Sequence, residues 1–328
     1  MTWLRLLRNA SAPAAAGLSL AVLSGAGAAG AAVGLMAVSA WLISRAALHP
    51  PVLHLMVAIV AVRAFGLSRG VLRYAERLTG HDGALRVLGH LRARMFAHLT
   101  HLTHLAPAGL TGYRRADLAQ HLSGDVDAVL DMLTRVLLPY AVAALVGIGS
   151  VLLVAMCSPV AGIALAAGLL VVGVAVPVLQ SRAVRRADGR LAPLRAALAT
   201  STVDLLHGLP DLVAYGVADA RLAHLAGLDA QLRHAEQRSS AMAGISAAVT
   251  TLTTGLCVLA GLVAGTLAVR SGTMPGELLA VVVLTPLAVF ETAAGLPAAA
   301  QRFAAARASL HRLAGVLRTP APIASTAS

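Results

Sequence analysis

Lysine is absent from all 328 residues, so every one of the 26 basic side chains is an arginine. A glycine-rich phosphate loop needs its lysine to reach the β- and γ-phosphates, and no such loop lies within this sequence. Aromatic residues are only 3% of the chain, too few for the platforms on which nucleic-acid bases stack. The formal charge of +12 therefore has to be read through topology and not as a nucleic-acid footprint. Cysteine is nearly missing as well. Cys157 and Cys257 lie far apart in apolar segments, which makes neither a disulfide framework nor a metal spacing; both are expected as small buried residues.

Charge itself is sparse, at 12% of residues, whereas 58% are hydrophobic and the mean hydropathy is +0.79. Such a chain is too apolar for a soluble globule and too long for a single span, which leaves a polytopic membrane protein. Apolar stretches of spanning length fall at 14–44, 52–72, 136–157, 159–179, 242–269 and 278–300. The first run continues to Ile43, beyond an ordinary signal core, so a span is expected there and not a cleaved leader. Gly30 and Gly34 within it form a GxxxG pair suited to close helix approach.

The stretch Val52 to Asp131 organises the rest. It is apolar enough for lipid up to Leu72, then carries arginines, histidines and aspartates at helical spacing with no turn signal before Pro107. One helix of about 80 Å is expected, against a hydrocarbon core of about 30 Å, so roughly half stands in water. Leu85, Leu88, Leu91, Met95, Leu99 and Leu102 supply a stripe for packing in a helical bundle. The second long polar region, 180–238, repeats the design, with a helix stop at Gly208-Leu209-Pro210 to match Ala106-Pro107-Ala108-Gly109. These two regions hold most of the arginines, while the short connections carry only Arg45 and Arg270. Both long loops and both termini are therefore expected on the cytoplasmic side. The expected fold is an all-α membrane protein of six transmembrane helices with long cytoplasmic helical extensions, residues 1–318 forming one domain. Residues 319–328, rich in Pro, Ala and Ser, read as a linker toward something cut away or supplied separately.

Six spans, two projecting hairpins broken at their tips and a terminal linker resemble the transmembrane domain of a type-1 ABC exporter. The stretches SAWLISRAA (39–47), RYAERLTGHD (73–82), LAPAGLTGYRRADLAQHLSGDVDAVLD (105–131) and FETAAGLPAAAQRFAAAR (290–307) are similar to the CydC-type subunit of the heterodimeric CydDC exporter of cytochrome bd assembly. The resemblance implies a CydD-type partner half-transporter in a bacterial plasma (inner) membrane, and export of a thiol substrate, glutathione or cysteine. It also implies ATP and Mg bound on nucleotide-binding domains absent from these residues. The hairpin tips would couple to those domains through Pro107, Gly109, Tyr113, Gly208, Pro210 and Tyr215. The family also hosts lipid, peptide and drug exporters, and a haem-binding membrane protein that does not transport is a further alternative.

Candidate ligand residues lie on the long second helix. Arg69, Arg73, Arg77 and His81 recur every four residues, each about 40° further round, with Arg63 deeper in the span. Guanidinium forks suit a carboxylate-bearing ligand; snorkelling and a solvated face are the alternative. The resemblance makes His81 an axial ligand of haem b and Arg77 a propionate partner. His98, His101 and His104 do not share one helix face, and no metal site is expected from them. Asp125, Asp127 and Asp131, with Arg135, read as a salt-bridged helix. Glu291, a lone acid in the sixth span, is expected to face a cavity or a partner helix.

Overall fold

The computed structural model describes residues 12–105 and 124–316, and among these there is no strand. Among the described residues six helices are long and apolar enough to cross a membrane: Ala15–Ala46, Val52–His98, Val126–Cys157, Pro159–Gln180, Ala218–Arg270 and Glu277–Gly315. We label the elements α1 (Ala15–Ala46), α2 (Met56–Leu105), α3 (Val126–Cys157), α4 (159–207), α5 (Leu209–Ala214), α6 (Ala218–Arg270), α7 (Glu277–Ala293) and α8 (Leu296–Val316). A short 3₁₀ turn, Val52–Leu55, leads into α2, whose 50 residues correspond to about 75 Å.

Small residues decide how the spans approach. α1 lies along α2 and also packs on α3 and α7. A side chain at Gly34 would meet the Phe65 ring at 3.0 Å, whereas Gly30 has nothing within 4 Å, so only one of the GxxxG pair makes a close contact within the chain. The turn at Ser158-Pro159 joins α3 to α4. There Gly162 lies against the backbone of Ala155, where an added Cβ would stand 2.7 Å from its Cα. Gly168 performs the same service for Cys257 and Phe290, which close the core between α4, α6 and α7. On the opposite side from the long extensions, Arg45 at the end of α1 pairs with Glu277 at the start of α7.

The extensions form a bundle of their own. Leu88, Leu91 and Met95 of α2 are buried against Val126, Val129 and Met132 of α3 and Leu310 and Leu313 of α8. One stripe residue differs from expectation: Leu85 is 56% exposed, and Ala84 and Val87 take the inward positions instead. Three residues separate Ala84 from Val87 and four more lead to Leu91, so the buried face has helical spacing but lies one step round from Leu85. The side chains of Leu99 and Leu102 lie outside the described set.

Two π-helical turns, Leu133–Leu137 in α3 and Val171–Ala175 in α4, are local departures with no clear signature in the sequence. Between α7 and α8 the chain breaks at Ala294-Gly295. Pro297 supplies no N–H to continue the α7 ladder, and α8 starts its own, with Ala299 donating to the Gly295 carbonyl at 3.1 Å.

Candidate functional site

A cavity of about 560 Å³ lies among the spans, beside the break between α7 and α8. Arg69, Gly70, Arg73 and Glu76 of α2 form one wall, and Glu291, Thr292 and Gly295 the facing one. Ala29 and Ala32 of α1, Pro139 and Val142 of α3 and Ala288 of α7 complete the lining. Its size falls in the range of ligand pockets, about 300–1,000 Å³.

The acid inside this wall is Glu76, whose side chain is only 15% exposed and stands 3.9 Å from the Arg73 guanidinium. Gly25 of α1 makes the room, since a Cβ there would lie 3.0 Å from the Glu76 carboxyl carbon and 2.7 Å from Val142. Glu76 was not singled out from the sequence, although its place three residues after Arg73 was a readable signal. Gly25 carried no such signal, because its role depends on a neighbouring helix.

Of the five α2 residues singled out beforehand, Arg69 and Arg73 line the cavity, whereas Arg63, Arg77 and His81 do not. Helical drift explains this: His81, twelve residues past Arg69, is rotated by about 120°, and Arg63, six residues before it, by a similar angle. Arg77 and His81 instead share an exposed face of α2 with Tyr74, Leu78 and Leu85. That face offers one imidazole, one guanidinium and an apolar margin, which fits one axial position of a haem and a propionate but not a multi-ligand ion site. Among the described residues no group of three or more His, Cys, Asp or Glu is gathered as a metal set. Glu291 lines the same cavity as Arg69 and Arg73, as expected of a lone acid in a span, without forming an ion pair to either.

The described hairpin tip lies at the far end of α4. Helix α4 stops at His207, Gly208 turns the chain, and α5 crosses the end for six residues, with Pro210 in its first turn. Gly216 then adopts φ +68°, a left-handed conformation that suits glycine, before α6 returns toward the spans. Tyr215 is 82% exposed and Val213 63%. Pro107, Gly109 and Tyr113 of the other tip lie outside the described residues.

Asp127 bonds to Arg92 at 2.7 Å and Asp131 to Arg135 at 3.2 Å, in line with a salt-bridged helix. Asp125 has a longer-range partner, Arg312 of α8, which donates through Nε at 3.0 Å and Nη2 at 2.6 Å.

The sequence profile described as ABC transporter transmembrane region matches residues 15–290. The glutathione/L-cysteine transport system ATP-binding/permease protein CydC of Escherichia coli is 30% identical over 292 residues, covering 86% of this chain and 50% of that protein. The corresponding CydD protein of Bacillus subtilis is 33% identical over 54% of this chain and 30% of its own length. CydC of Haemophilus influenzae is 31% identical over 44% of this chain and 24% of its own length. The chain thus spans about half the length of the Escherichia coli relative.

Proposed function

The chain belongs to the ABC transporter transmembrane region family, and from that premise we propose that it is one membrane half of a heterodimeric ATP-driven exporter of reduced thiols, glutathione or cysteine. In this reading it sits in a bacterial inner membrane with a CydD-type partner and supports cytochrome bd assembly. The arginine-rich extensions and both termini face the cytoplasm. ATP and Mg are handled by nucleotide-binding domains outside these residues, and the hairpin tips carry their motion to the spans.

The observation that carries this reading is the pair Arg69 and Arg73 on the wall of a cavity among apolar helices. Guanidinium groups are costly there unless they face water, a counter-charge or a ligand. A thiol amino acid or peptide brings a carboxylate for them, and Ala29, Val142 and Ala288 leave an apolar surface for the rest. Glutathione is expected to stimulate ATP hydrolysis by the assembled heterodimer, with Arg69→Ala raising the half-saturating concentration about tenfold. An exporter half for lipid, peptide or drug would show no such glutathione stimulation, and its own transport would be indifferent to the substitution.

The exposed face of α2 favours a second, compatible reading. His81 would give one ring nitrogen to the iron of a haem b, with Arg77 placed for a propionate and the exposed Tyr74, Leu78 and Leu85 for an edge. Bound there, haem adds a redox-active iron. The reduced absorption spectrum of the purified assembly should show a b-type haem that His81→Ala removes and Arg69→Ala retains. A spectrum unchanged in His81→Ala would put the iron ligand elsewhere.

A further inference from the structure

The cavity carries four charges that balance to zero, and only two of them face each other closely. Arg73 and Glu76 stand 3.9 Å apart. Among the described residues neither Arg69 nor Glu291 has an ion-pair or hydrogen-bond partner, although both line the same cavity from different helices. Their charged atoms are therefore more than 4.0 Å apart, the limit within which a pair would register. Both side chains are exposed, so each holds its charge toward the cavity without a protein counter-charge and is open to a ligand's opposite pole. Nothing bulky fills the gap either, since Gly70 and Gly295 each have open space where a Cβ would stand.

We propose that the cavity is a two-pole site for a zwitterion, in which Arg69 takes the carboxylate and Glu291 the ammonium of an α-amino acid or of a peptide that carries this group. A purely anionic ligand would lay its charge beside Glu76 and Glu291, and a purely cationic one would meet Arg69 and Arg73. A neutral ligand with separated poles satisfies both free groups at once. The inference rests on the thiol-export reading for its place in transport, and adds to it the wall that holds the amino end. Glu291 becomes the residue that distinguishes an amino acid from its desamino analogue, because an ammonium-binding carboxylate left without its partner is penalised.

The test uses the full assembly in inverted vesicles, comparing ATP-dependent uptake of L-cysteine with that of 3-mercaptopropionate, which lacks the amino group. Wild type is expected to prefer cysteine about tenfold or more. In Glu291→Gln the ratio should fall close to one, and Glu291→Asp, which keeps the charge, should retain a preference. An undiminished ratio in Glu291→Gln, or equal uptake of both thiols by wild type, overturns the two-pole site while leaving thiol export standing. Uptake of neither compound, and none of glutathione in the same vesicles, overturns the thiol-export reading, and the two-pole site with it; glutathione uptake alone, without cysteine uptake, overturns the two-pole site only.

Discussion

Val213→Asp combined with Tyr215→Ala is expected to cut nucleotide-driven transport at least tenfold while the chain still inserts and still binds thiol. Both side chains are more than half exposed, at 63% and 82%, so their replacement removes little packing within the chain. The turn they sit on is held by the backbone: Tyr215 N–H donates to the Asp211 carbonyl at 2.9 Å and Val217 N–H to Leu212 at 2.9 Å. What is lost is an apolar and aromatic knob on a braced support, the kind of anchor worth roughly 2 kcal/mol or more in a protein interface. By the proposed coupling, ATP hydrolysis by the partner domains would continue without its thiol stimulation. Uptake and hydrolysis measured on one vesicle preparation check this, and full transport in the double variant would remove the tip from the mechanism.

Arg312→Ala is expected to lower the stability of the extension bundle by about 2 kcal/mol, a few degrees in a thermal melt of the purified protein. The guanidinium is half-exposed but its partner Asp125 is not, with a carboxylate side chain only 7% exposed. Removing the arginine takes two charge-assisted hydrogen bonds from a buried carboxylate at the start of the helix that carries Val126 and Val129 into the core. The loss lies below that of a fully buried pair because water already reaches the guanidinium. Arg312→Ala with Asp125→Leu should recover part of the loss, since no buried charge then remains. A double variant no more stable than Arg312→Ala would contradict that reasoning.

The spans were legible because each needs a long apolar run, and the tip at Gly208 because glycine and proline stop a helix wherever they fall. The site was legible in part. Arg69 and Arg73 follow from four-residue steps, and Glu291 stands out as an acid in an apolar segment. The same steps do not bring every member to the cavity, since a drift of about 40° per step accumulates and carries His81 away from Arg69. Contacts made between helices left little trace. Asp125 and Arg312 are 187 residues apart, and nothing near either names the other. Gly25 is an ordinary small residue of a span until Glu76 and Val142 are seen against it. Leu85 shows the same limit on a smaller scale, because spacing defines a face but not which way the helix is turned.

The most direct measurement is uptake of labelled glutathione into inverted vesicles carrying the chain with its partner half-transporter and nucleotide-binding domains, for wild type and for Arg69→Ala with Arg73→Ala. Saturable uptake that requires ATP hydrolysis, reduced at least about tenfold in the double variant, is the expected result. No ATP-dependent uptake by wild type, or equal uptake by both proteins, would contradict a thiol-binding cavity on these arginines.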